Sequence, residues 1–301
     1  MSQYQRLLLI LDPVQHQSAA ARRATALAQA SGAAVHVLVL VEPPARGYLW
    51  EEHLEDSERE AYLQRHERWL LVEAQWMRDQ GVDVTTQVLW SAQPLKDLLQ
   101  YVSEFSPDLL IKDVALESAL KRVFVTPLDC HLLRDCPVPV HLVNQAPHSL
   151  PRRIVAAVDA AAVGTQAEGH NDLIIQTANA LALQCDAQLH LVYAYDLTPV
   201  FEGVTPVGAG AWSANCLDEL RDSLQEAFIR LAERYQVPVE LRHFISGPPV
   251  PGLTRFVDDF LVDVVVMGTV HRTGFGRLIG STTERALYSM PGSILAVKPL
   301  A

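Results

Sequence analysis

The residues best placed to do chemistry lie near the end of the chain, in the run Asp263-Val-Val-Val-Met-Gly-Thr-Val-His-Arg-Thr-Gly-Phe-Gly-Arg-Leu-Ile-Gly-Ser-Thr-Thr-Glu284. Glycines at 268, 274, 276 and 280 allow a backbone to come close to a ligand. Ser281, Thr282 and Thr283 are natural caps for a helix running on through Glu284 and Leu287. The free N–H groups of such a helix start attract phosphate oxygens. Arg272, Arg277 and Arg285 add local positive charge. The chemistry on offer is anion binding. The same residues also suit a plain glycine-rich strand-to-helix turn with surface arginines. A Walker A loop is excluded, because no Gly-Lys-Ser/Thr follows the first glycine at the required spacing.

Other reactive constellations are thin. Cys130, His131 and Cys136 lack an evident fourth metal ligand, and helical spacing spreads them around the axis. The histidines form no His-x-x-x-His or His-Glu-x-x-His pair, and no Gly-x-Ser-x-Gly elbow exists for serine hydrolysis. Asp159 is followed by three alanines rather than the Ser-Gly-Gly-x-Asp-Ser run of adenylate-forming enzymes. The sequence therefore reads as a binding protein with at most trace catalytic turnover, and with no metal of its own.

These residues sit in 301 residues of globular composition, 49% hydrophobic and 20% charged, enough for two domains. A formal net charge of −11 argues against nucleic acid or an anionic membrane as the main partner. Four cysteines without a Cys-x-x-Cys pair read as reduced thiols, and no apolar run approaches a membrane span. A cytoplasmic location is expected.

The elements that must position the site follow from periodicity. Arg6–Leu11 reads as a strand ending at Asp12, Ala19–Ala30 as a helix closed by Gly32, and Val35–Val41 as a second strand. Asp56–Gln80 is amphipathic, with Leu63, Leu70 and Met77 on one stripe and Tyr62, Trp69 and Trp76 on another, both read as core. Further strands are expected at 82–89, 108–112 and 137–143, with helices at 94–105 and from Pro127 to Arg134. Asn144 to Pro151 reads as a linker, and then the pattern restarts. Strands are expected at 153–158, 188–195, 237–245, 263–267 and 293–297, with helices at 172–183, 217–235 and 253–260. Thr198–Asn215 is a long, apolar connection, suited either to a lid or interface or to a satellite cluster on the sheet.

The restart is a repeat in register. Asp108 and Asp263 stand 155 residues apart, as do Ser91 and Ser246 (246 − 91). Units of about 150 residues with alternating strands and helices are two homologous domains, 1–146 and 152–301, each a doubly wound parallel α/β sheet of five strands flanked by helices. Ligands on such sheets bind beyond the C-terminal strand ends, where Asp12, Asp159 and the glycine loop all fall. The first copy carries Lys112 and Asp113 where the second has Met267 and Gly268, so a carboxylate stands where a phosphate would lie.

The glycine run resembles the C-terminal signature of the universal stress proteins: Gly, two residues, Gly, nine residues, Gly, then Ser or Thr. Gly268, Gly280 and Ser281 match it. His271 stands at the second glycine, and eight residues rather than nine separate it from Gly280. The tandem arrangement and the Thr126-Pro-Leu-Asp129 to Arg134-Asp-Cys-Pro137 run are similar to the two-domain, E-type members. The resemblance implies the fold shared with adenine-nucleotide α-hydrolase-like proteins, and two domains meeting through their last strands as an internal pseudo-dimer. It implies a stress-response protein with an ATP site in the second domain, any Mg²⁺ arriving with the nucleotide. Asp159 would line the adenosine end, Val192 and Met267 the base and strand end, and Gly268, His271, Gly280, Ser281 and Thr282 the phosphates. The alternative is a nucleotide-free adaptor that takes a small apolar ligand, a protein partner or a second copy through the 198–215 loop.

Overall fold

A computed structural model describes residues 4–43, 56–115, 127–144, 148–161, 165–197, 214–269 and 281–298 of the protein. The chain divides into two compact units, Met1–Leu150 and Pro151–Ala301. In the first unit the elements are β1 (Arg6–Leu11), α1 (Ala19–Ser31), β2 (Ala34–Val41), α2 (Asp56–Asp79), β3 (Val84–Trp90), α3 (Pro94–Phe105), β4 (Leu109–Asp113), α4 (Leu128–Asp135) and β5 (Val140–Val143). All pairings within it are parallel, in the order β3-β2-β1-β4-β5.

The second unit repeats this with β6 (Arg153–Ala157), α5 (Thr165–Cys185), β7 (Gln188–Tyr195), α6 (Ala214–Arg234), β8 (Arg242–Ser246), α7 (Pro249–Asp259), β9 (Val264–Gly268), α8 (Ser281–Ser289) and β10 (Ser293–Val297). Its order is β8-β7-β6-β9-β10, again parallel throughout. Right-handed crossovers place the two helices that follow β6 and β7 on one face and α7 and α8 on the other. A strand beside the switch in each unit, Leu7–Leu11 in the first and Val264–Met267 in the second, is apolar because each side chain meets a helix layer or a loop rather than water.

The register seen in the sequence has a physical cause. Asp108 Oδ2 accepts from the backbone N–H groups of Gln5 and Arg6 at 2.7 and 2.8 Å. Asp263 Oδ2 accepts in the same way from Arg152 and Arg153 at 2.8 and 3.1 Å. Each carboxylate ties the entry of one central strand to its neighbour, satisfying two N–H groups that no strand partner reaches. Arg6 and Arg153 then reach back to the end of the preceding helix, to Phe105 O at 3.2 Å and Phe260 O at 2.7 Å.

Several boundaries differ from those expected. α5 begins at Thr165 rather than 172, almost two turns earlier. The expected 237–245 strand is split, because Pro238 opens a 3₁₀ turn over Val239–Leu241 and pairing starts only at Arg242. α7 starts at Pro249, whose missing N–H costs nothing in a first turn. Pro127 caps α4 from outside, and β5 starts at Val140, after Pro137 and Pro139. On α2, Leu70 and Met77 are fully buried, while Tyr62, Leu63, Trp69 and Trp76 are half-buried. No helix among the described residues is long and apolar enough to cross a membrane.

Each unit buries a histidine at the same place on its second strand, opposite Leu8 and Val155 of the central strands. His36 Nδ1 meets Thr85 Oγ1 at 2.7 Å and its Nε2 meets Tyr101 Oη at 2.6 Å. His190 Nε2 meets Gln188 Oε1 at 3.1 Å and its Nδ1 meets His243 Nε2 at 2.9 Å. Phe256 of α7 and Phe260, which caps that helix, cover the pair. A carbonyl oxygen on Nε2 makes that nitrogen the donor, so His190 Nδ1 accepts from His243 and both rings are neutral. Burial first, then the electrostatic cost of a second cation beside His243 and Arg153, pushes His190 from 6.5 to about 4. Burial also lowers His36 and His243.

The folded value lies below the unfolded one. The stability contributed by neutral His190 is therefore complete above about pH 6.5 and lost as the pH falls from there toward 4. The melting temperature should drop across that window. The double variant His190→Leu/His243→Leu should drop less, as measured by thermal denaturation at half-unit pH steps.

Candidate functional site

In the second unit, β6 connects toward β7 on one side, while β8 crosses over to β9 on the other. The gap beyond the ends of β6 and β9 is thus the switch point at which such sheets hold ligands. Asp159 follows β6 and Gly268 ends β9, and Ala157 pairs with Met267. The structure brings Asp159, Met267 and Gly268 to adjacent strand ends. Val192 is buried on β7, one strand further away, where its carbonyl accepts from Val158 N at 3.0 Å.

Asp159 is held by its own backbone and by α5. Its Oδ1 accepts from Ala161 N at 3.1 Å, which closes an Asx turn. Its N–H donates to Asn171 Oδ1 at 3.0 Å, and Asn171 Nδ2 donates back to its carbonyl at 2.8 Å. Asp12 makes the equivalent turn with Val14 N at 3.1 Å. The carboxylate is exposed, so the turn leaves it lone pairs for a ligand hydroxyl. Beside it, Tyr193 is buried against Phe228 and Phe244. Burial first, then the charge of Asp159, raise its phenol to about 12, while the N–H of Ala161 works the other way. The hydroxyl therefore stays protonated near Asp159.

At the end of β9, Met267 is buried, Gly268 O accepts from Thr283 Oγ1 at 3.1 Å, and Thr269 N donates to Val297 O at 2.9 Å. Thr283 is buried in the first turn of α8, so α8 is anchored directly to the strand end. His271 and Gly280 lie outside the described residues, as do 198–213 of the apolar connection. Ser281 and Thr282 open α8, but their side chains are likewise outside them.

One residue beside Gly268 escapes sequence reasoning. The imidazole of His170, on α5, fills the space over this glycine: a Cβ added at Gly268 would stand 2.7 Å from Cδ2 and closer still to Nε2 and Cε1. The helix expected over 172–183 leaves Asn171 and His170 outside it. In the fold Asn171 clamps Asp159 from inside α5 instead. No spacing rule links residue 170 to 268; only the β6–β9 pairing does.

The first unit fills the matching position with its own charges. Asp113 Oδ1 accepts from Ala20 N, at the start of α1, at 2.8 Å. Lys112 Nζ pairs with Asp129 at 2.9 Å and donates to Asp113 O at 2.9 Å, while Asp129 Oδ2 accepts from Ala115 N at 2.8 Å. Asp129 has no exposed surface. Nearby, Cys130 and Cys136 are buried, His131 stands 3.7 Å from Asp135, and no metal-holding cluster occurs among the described residues. A shallow groove of about 720 Å³ lies elsewhere in the second unit, between α7 and α8, lined by Thr254, Arg255, Asp258, Arg285 and Ser289. Its lining includes neither Asp159 nor Gly268, so the switch point remains the better site.

Two parallel five-stranded units with this switch-point arrangement define the class. The model of the universal stress protein family matches residues 3–144 and again 151–298, and the chain belongs to that family. Among its relatives, universal stress protein E of Salmonella typhi is 28% identical over 307 residues, covering 99% of this chain and 96% of that protein. Universal stress protein E of Escherichia coli K12 is 27% identical, covering 99% and 95%. A solved structure from Pseudomonas aeruginosa PAO1, described as functionally unknown, shares 25% identity at a TM-score of 0.73, covering 98% and 93%.

The ion pair in the first unit carries a prediction. Removing one partner strands a buried charge, so Lys112→Ala should cost about 3–5 kcal/mol in urea denaturation. Lys112→Met/Asp129→Leu, which removes both charges, should recover most of that loss.

Proposed function

We propose that this protein acts in the stress response by binding rather than by turnover, and that it holds one adenine nucleotide per chain, ATP with its Mg²⁺, at the switch point of the second unit. The observation that carries this reading is the contrast between Gly268 and Asp113. The first unit satisfies its helix start with its own carboxylate, whereas the second leaves a glycine there and no acidic group. A phosphate is repelled at the first position and admitted at the second. Asp159 supplies an exposed acceptor for a ribose hydroxyl, and α8 starts beyond β9, where the first N–H groups of a helix have no partner within it. None of the four cysteines is disulfide-bonded, which suits a reducing, cytoplasmic setting.

Calorimetry with ATP and Mg²⁺ should return a stoichiometry of one per chain, with a rise in melting temperature and negligible phosphate release. Two equal sites would overturn the asymmetry, and no heat at millimolar ATP would overturn the reading. His271 takes the place of a glycine in the family pattern. If a left-handed backbone there costs about 1.4 kcal/mol, His271→Gly should bind ATP about tenfold more tightly.

A further inference from the structure

His170 supplies no group that the nucleotide reading uses, and among the described residues it makes no hydrogen bond. Both ring nitrogens are buried without a partner. An imidazole with both nitrogens so placed forgoes the hydrogen bonds it has in water, and partial burial lowers its pKa, which favours the neutral ring. It nevertheless points its Nε2 edge at the one residue of β9 that has no side chain. Gly268 is not among the residues of positive φ, so backbone conformation does not demand a glycine at 268. The ring does.

The comparison within the chain sharpens this. Both units fill the end of the fourth strand with one of their own side chains. In the first, the filler is Asp113, with a helix N–H on its oxygen, and the adjacent charges are all paired. In the second, the filler is an imidazole whose polar atoms are all unsatisfied. The first plug is bonded in place, whereas the second gains hydrogen bonds by leaving.

We propose that His170 is a displaceable plug: it occupies the space over Gly268 that a phosphate-bearing ligand needs, and binding requires the ring to turn out from the strand end. The proposal rests on the switch-point reading above and adds what sets its affinity and selectivity. Part of the binding free energy is spent expelling the ring, so a ligand without a group reaching Gly268 leaves it in place.

A double-mutant cycle tests the contact without any ligand. Gly268→Ala should lower the melting temperature of the wild-type protein by about 4 °C or more, and that of His170→Ala by much less. Equal losses in both backgrounds would overturn the proposal. If Gly268→Ala alone does not fold, a folded Gly268→Ala/His170→Ala protein supports it and an unfolded one overturns it. The second arm is ATP titration, in which His170→Ala should bind about tenfold more tightly than wild type. Wild type that binds, with His170→Ala binding no better, would sink the plug alone. Failure of both proteins to bind at millimolar ATP would remove the nucleotide reading, and the plug with it.

Discussion

A parallel sheet covered on both faces leaves polar chemistry little room except at the strand ends. Every side chain of Leu7–Leu11, in the central strand of the first unit, and of Val264–Met267, in the fourth strand of the second, is buried, so neither strand can carry a ligand group along its length. What remains are the two rims. At one, Asp108 and Asp263 are consumed in holding the strands together. At the other, each unit has to settle the same question: what occupies the end of the fourth strand and the start of the helices beside it.

The two units answer differently within one architecture. Lys112, Asp113 and Asp129 form a closed set of bonds that leaves no demand for a visitor. Around Gly268 the backbone is well anchored, through Thr283 and Val297, while the space over it is held only by packing. Duplication thus produced one end that is chemically saturated and one that is merely filled.

Much of this was legible in the sequence because it is local. Buried strands announce themselves as short β-branched runs, and the 155-residue register of Asp108 and Asp263 reflects the same clamp made twice. Asp159 could be read as a turn carboxylate, which is the bond it makes to Ala161. The errors came where a local signal was real but had another use. Asn171 has the chemistry of a helix cap, yet it sits inside α5 and grips Asp159 across the loop. Pro249 looks like a breaker, but the first turn tolerates it. His170 carried no signal at all, since its neighbour across the sheet lies 98 residues on (268 − 170). Such a contact exists only after β6 and β9 have paired.

The strand order also bears on how the chain must be made. Each central strand, β1 or β6, leaves the ribosome first in its unit, but one of its two neighbours emerges only after roughly a hundred further residues; Asp108 binds Gln5 at a separation of 103. At ordinary synthesis rates of about 5–20 residues per second, one side of an almost wholly apolar strand waits about 5–20 seconds for its partner. Nascent chains of either unit therefore pass through a stage with an open hydrophobic edge, the condition that invites pairing with other chains. A protein of this family carries that exposure twice per molecule, and its yield depends on how well the growing chain is shielded during those two intervals.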